Sequence, residues 1–181
     1  MTMEDFETRL NKDLQTYLTS VGLIDKHLPE CPDIEGKWKE IGEAYLPDGI
    51  REFSGYPTVS LGWMMFLGMA ITKYWDEDWD KYNSAENLYE QIRNARGYDN
   101  MDEYILEEIL KLDADTRTKI SKTVAECASR TESILRHEPI EPGSEEAFRA
   151  YIYSLRQMYA MGMAMELKRL GYHMTELANL F

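Results

Sequence analysis

SLGWMMFLGMA (residues 60–70) and SLRQMYAMGMA (residues 154–164) agree at six of eleven positions, 94 residues apart. Each stretch is apolar on most sides of a helix. Helices that are hydrophobic all round belong at the centre of a bundle, with amphipathic helices packed around them. The two stretches therefore predict central helices over about 59–75 and 146–170. Their likeness has two explanations: an ancestral duplication with pseudo-twofold packing, or independent selection of Met, Gly, Ala and Leu at similar burial. Gly62, Gly68, Ala70, Gly162 and Ala164 form notches of small residues on either account. A glycine inside a helix costs ~1 kcal/mol relative to alanine, which close approach of another backbone or a ligand would offset.

Outward from these stretches the dominant period is helical. Phe6, Leu10, Leu14, Tyr17 and Val21 recur every three to four residues and predict an amphipathic first helix. Ile34, Trp38, Ile41 and Tyr45 share a face of a second, with Asp33 as its N-cap and LPDG (46–49) as its end. Residues 46–58 hold two Pro and two Gly and read as an irregular loop. The third helix runs from Thr58 or Ser60 to about Trp79. Asn83 with Glu86, and Asn100 with Glu103, have capping-box spacing and predict two further helix starts. Asp113 or Asp115 caps a surface helix with the sparse apolar line Ile120, Val124, Cys127 and Leu135. Ser144 opens the last helix, and Gly171 follows its end where a C′ glycine belongs. No segment alternates with period two. The chain reads as one all-α domain, 1–181, of about six to eight helices around the two Met/Gly-rich ones.

The composition narrows the function classes. Of 181 residues 44% are hydrophobic and 29% charged, and the net charge is −13, spread along the chain. That field repels phosphate backbones and anionic membrane surfaces, so nucleic acid and membrane are not expected partners. A basic protein or a cation suits it better. The apolar run 59–71 is too short to span a bilayer. The first residues lack the basic and apolar regions of a signal peptide, and two cysteines are too few for a disulfide framework; a cytoplasmic location is expected.

Recognisable catalytic patterns are missing. The three histidines have no Glu three or four residues before them, and His27 with Cys31 supplies only two ligands for a zinc site. No cofactor is expected. Three candidate sites remain. The first is the segment 74–87, YWDEDWDKYNSAEN. Asp76, Asp78, Asp80 and Ser84 match positions 1, 3, 5 and 9 of an EF-hand calcium loop, but Lys81 replaces its glycine and Asn87 its glutamate. On a continuous helix the aspartates diverge, while Trp75, Trp79 and Tyr82 form one aromatic stripe that would pack or dock a partner. The second is the methionine-rich pair of central helices. Methionine fills irregular core gaps and also lines adaptable grooves. The third is the 46–58 segment, where Trp38, Tyr45, Arg51, Tyr56 and Trp63 could surround a small carboxylate or phosphate near a helix N-terminus.

These features predict a non-enzymatic protein that acts through protein contact or homo-oligomerisation. A small-molecule pocket between helices 59–75 and 146–170 and the 46–58 segment is the alternative. Divalent-cation binding at 76–84 is the third reading.

Overall fold

In the computed structural model, which describes residues 2–172, both quoted stretches are helical and central. The first lies in α3 (Pro57–Asn83) and the second in α7 (Glu145–Arg169). Around them stand α1 (Met3–Ser20), α2 (Pro32–Gly55), α4 (Leu88–Arg96), the single turn α5 (Met101–Tyr104) and α6 (Ala114–His137). The protein is all-α, with 81% helix and no strand among the described residues. Met64, Met65, Met69, Met158, Met161, Met163 and Met165 are all buried, and they pack the core between these helices.

The glycine notches are where α3 and α7 touch. A Cβ on Gly68 would overlap the carbonyl oxygen of Tyr159 and stand 3.2 Å from the Met163 nitrogen. A Cβ on Gly162 would overlap the carbonyl oxygen of Met65 and stand 3.2 Å from the Met69 nitrogen. Tyr159, Gly162 and Met163 are the residues 94 positions after Met65, Gly68 and Met69. The sequence correspondence is thus realised as a reciprocal, locally twofold contact of backbone on backbone. It leaves no room at the crossing for the ligand pocket expected between these two helices. Gly62 instead faces α6, where its Cβ would meet Val124 Cγ1 at 3.2 Å.

The segment 46–58 is not a loop. α2 continues through Pro47 to Gly55, Tyr56 alone is non-helical (φ −137°, ψ 75°), and Pro57 opens α3. Proline inside a helix removes a hydrogen bond and disfavours helical geometry before it, but this turn is held from outside. Tyr45, Asp48 and Gly49 are buried, and Ser60 Oγ donates to the Gly49 carbonyl at 2.8 Å. Gly49 serves packing, since a Cβ there would come within 2.7 Å of both the Tyr151 hydroxyl and the Tyr45 ring. Tertiary contact outweighs local propensity here.

Other boundaries differ in detail. Cys31, not Asp33, precedes α2, with Pro32 at the first helical position; the Cys31 N–H donates to Glu35 Oε2 at 2.9 Å. α4 starts after Asn87, which takes a left-handed conformation (φ 57°), and neither Asn83 nor Asn100 forms the expected capping box. After α5 the chain widens into a π turn, Ile105–Ile109, closed by Leu110 N–H donating to the Ile105 carbonyl at 2.8 Å. Ile105, Leu106, Ile109 and Leu110 are all buried against the core. α1 ends at Ser20, so Leu18 is buried and Val21 is exposed.

Several local expectations hold. Asp113 accepts from Thr116 N–H at 2.8 Å and Ser144 from Ala147 N–H at 3.1 Å, capping α6 and α7. Gly171 (φ 98°) closes α7 with Tyr172 N–H donating to the Leu167 carbonyl, a Schellman arrangement. On α6, Ile120, Val124 and Cys127 face the core. No helix among the described residues is long and apolar enough to cross a membrane.

Candidate functional site

Of the five residues expected to surround a small anion, three converge. Tyr45 and Trp63 meet at Tyr98, and beside it Arg51 reaches an anion, the protein's own Asp48. This carboxylate accepts four hydrogen bonds: Oδ1 from Arg51 Nη2 (2.8 Å) and Arg93 Nη2 (3.2 Å), Oδ2 from the Tyr89 hydroxyl (2.7 Å) and Arg93 Nε (2.7 Å). Burial raises its pKa, but the bonds from Tyr89 and Arg93 outweigh that and hold it below the ordinary value. A carboxylate has about four lone-pair sites, so Asp48 is saturated.

The network continues into α3 and α7. The Tyr45 hydroxyl donates to the Ser60 carbonyl at 2.7 Å, so Tyr98 is the donor in the 3.0 Å contact between the Tyr45 and Tyr98 hydroxyls. Ser60 Oγ donates to Gly49, so Tyr151 is the donor in the 2.6 Å contact between Tyr151 and Ser60. Trp63 Nε1 donates to the Tyr98 carbonyl at 2.7 Å. Burial raises the pKa of Tyr45, Tyr89 and Tyr98 and pushes Tyr151 up to about 12, so all four stay protonated donors. The buried polar groups of Asp48, Tyr45 and Ser60 are thus committed to the fold. Trp38 and Tyr56 lie apart: Trp38 packs on Tyr159 with ring centroids 5.5 Å apart, and Tyr56 is 67% exposed without a ring contact. Asp48, Tyr89, Arg93 and Tyr98 were not legible as partners from sequence; the one local signal was the i, i+3 spacing of Asp48 and Arg51.

The 74–87 segment is built on a break. Asp78 has non-helical backbone angles (φ −164°, ψ 83°) inside α3, and its Oδ1 accepts from Lys81 N–H at 3.3 Å. It caps the last turn of the helix. The predicted single stripe of Trp75, Trp79 and Tyr82 is therefore split. Tyr82 folds back to stack on Tyr74 at 3.8 Å, and Trp75 Nε1 donates to Asp33 Oδ2 at 3.1 Å. Trp79 lines a cleft with Pro32, Gly36 and Lys37. Asp76 accepts from the Tyr172 hydroxyl at 2.9 Å, and Ser84 Oγ donates to the Asp80 carbonyl at 2.8 Å. These polar groups act separately, and no group of three His, Cys, Asp or Glu placed to hold a metal ion occurs among the described residues. Residues 21–31 are not helical, so His27 and Cys31 do not share a helix turn; His173 lies outside the described residues.

Further hollows open elsewhere among the described residues. A cavity of about 500 Å³ is lined by Phe53, Pro57, Leu135, Ile140, Ala147 and Tyr151, with Glu132 and Arg136 at its rim. It touches the 46–58 segment, as expected of a pocket, but against α6 and the start of α7. None of the five predicted ligand residues lines it. Two adjoining hollows of about 320 and 420 Å³ share Trp38, Phe148 and Ile152 on the face made by α1, α2 and α7. A groove of about 340 Å³ runs between α3, α5 and α6.

No protein-family model matches this chain, and neither a curated protein nor a solved structure does. Function must be argued from these surfaces alone. Among the described residues the buried charges are engaged within the fold: Asp48 as described, Lys37 with Glu40 (2.7 Å), Glu138 with Arg9 (3.2 Å) and Glu166 with Arg169 (2.6 Å).

Proposed function

We propose that this protein acts by contact and not by catalysis, and that the occupant of its α1/α2/α7 face is a second copy of the chain. The observation that carries this reading is Phe148. It is 46% exposed, and it stands on the rim shared by two apolar hollows. A twofold interface needs one patch bearing both a protrusion and the recess that receives it. Phe148 is the protrusion, and the hollow lined by Trp38, Gly42 and Leu46 is the recess. From Trp38 to Leu46 the groove follows α2 for about 12 Å.

Charge favours the same occupant. The charged residues lining the two hollows are Lys39, Arg149 and Arg156 against Glu7 and Glu43, a mixed patch on a chain of net charge −13. A patch of mixed sign can pair with itself, whereas the rest of the acidic surface repels its copy. Salt screens that long-range repulsion, so self-association should strengthen with ionic strength. The engagement of the buried charges within the fold supports the non-enzymatic part of the reading.

Sedimentation equilibrium from micromolar to millimolar chain, at low and high salt, tests it. The expected result is a monomer–dimer equilibrium shifted toward dimer by salt. Phe148→Asp should give a monomer with an unchanged helical spectrum. A wild type that stays monomeric throughout overturns the reading, and a dimeric Phe148→Asp variant moves the interface elsewhere.

A second reading rests on the 500 Å³ cavity beside Phe53 and Tyr151, whose size lies within the range of small-molecule pockets. An apolar fluorescent probe that binds the wild type and not Ala147→Trp, which fills the cavity, would support it.

A further inference from the structure

The groove between α3, α5 and α6 brings an aromatic pair and a carboxylate together. Its walls include Trp63 and Phe66, and Asp102, Thr58, Ser121 and Ser129 stand around it. The two rings meet edge to face, 5.7 Å between centroids and 73° between planes. Trp63 is fixed, because its only donor, Nε1, is bound to the Tyr98 carbonyl. What the indole offers the groove is therefore ring surface.

Asp102 is the other half of the arrangement. Among the described residues the pKa values of two carboxyl groups, Glu166 and Asp102, are held above the ordinary value, in both by burial. Glu166 has Arg169 as a bidentate partner. Asp102 has no ion pair among the described residues, and the backbone at Asp102 and Glu103 only partly offsets the effect of its burial. A half-buried carboxylate without a counter-charge favours a cation. Asp102 lies in the turn before the π turn, Ile105–Ile109; such turns recur at functional sites.

We propose that this groove binds an organic ammonium group, held over Trp63 and Phe66 and neutralised by Asp102. Aromatic rings attract cations through the negative face of the ring. A primary ammonium carries three donors and no acceptor; the groove offers it the Asp102 carboxylate and hydroxyls spaced along its length, with Ser121 and Ser129 about two turns of α6 apart. A volume of about 340 Å³ suits a charged head on a short alkyl arm. The chain's −13 charge draws such a cation in. The same chemistry is presented by a free alkylamine and by a lysine side chain of another protein. The site is separate from the α1/α2/α7 face, so either proposal can fail alone.

The test follows the Trp63 indole N–H by NMR, assigned with Trp63→Phe, during titration with n-butylamine, 1-butanol and a short capped lysine peptide. The expected result is a saturable shift with butylamine and binding at least about tenfold weaker for butanol. Asp102→Asn should weaken amine binding by about tenfold or more, as expected for loss of a charge-assisted bond. Glu103→Gln, which removes an equal charge one residue away, should leave it unchanged. Ala125→Leu, on the groove wall, should block it without touching charge. Tighter binding of the peptide assigns the site to a protein lysine, and tighter binding of butylamine to a free amine. No saturable shift with either amine overturns the proposal. So does equal binding by butanol, unimpaired binding by Asp102→Asn with its urea midpoint intact, or equal weakening by Glu103→Gln.

Discussion

Gly68→Ala adds a single methyl group, and two physical effects predict opposite signs for it. Alanine is the better helix former by ~1 kcal/mol, so in open space the substitution should stabilise. At Gly68 the new Cβ would overlap the Tyr159 carbonyl oxygen and come within 3.0 Å of its carbonyl carbon. Both atoms are backbone, so no rotamer change relieves the overlap and α3 must move away from α7. Overpacking of this kind costs ~3 kcal/mol at the upper end of its usual range. The net expectation is destabilisation by ~2 kcal/mol. Gly36→Ala is the matched control, a glycine within α2 whose Cβ meets nothing within 4 Å; it should stabilise by up to ~1 kcal/mol. Gly162→Ala should behave as Gly68→Ala does. The double variant should lose less than the sum, because one separation of the helices relieves both overlaps. Urea denaturation followed by circular dichroism reads all four. If Gly68→Ala stabilises as Gly36→Ala does, the close α3–α7 crossing is wrong.

Asp48→Asn should destabilise by ~2–3 kcal/mol, because it weakens three charge-assisted bonds and leaves Arg93 without its anion. The Asp48 pKa is lowered on folding, so its contribution is present above the unfolded value of 3.8 and is lost as pH falls from there through the folded value. Urea midpoints measured across acid pH should therefore fall less steeply below pH 3.8 for Asp48→Asn than for the wild type. Asp78→Ala removes the cap within α3 and should cost ~0.5–1 kcal/mol, less than Trp79→Ala. Millimolar calcium should leave the melting temperature of the wild type where chelator puts it; a calcium-specific rise abolished by Asp78→Ala would return the acids to a shared ion.

Much of the architecture was legible because period and capping are local. The apolar runs at 60–70 and 154–164, the caps Asp113 and Ser144, and the terminating Gly171 act through neighbours within about one turn, and all three local signals hold. The signals that misled were also local. LPDG reads as a helix end because Pro and Gly disfavour helix, yet contacts from Ser60 and Tyr151, far along the chain, carry α2 through it. Asn83 and Asn100 have capping spacing, but a spacing specifies a cap only if the chain turns into a helix at that residue.

Composition and periodicity alone determined an all-α chain with two central methionine-rich helices and an acidic exterior, since burial pattern and charge need no knowledge of partners. Tertiary structure decided the rest. It showed that Gly68 and Gly162 answer one another, that Arg93 belongs to Asp48, and that Asp102 lines one groove with Trp63 and Phe66. The physical reason is the same in each case. Whether a glycine, an arginine or a carboxylate is filled, satisfied or free depends on atoms brought to it from tens of residues away, and no local spacing encodes which atoms those are.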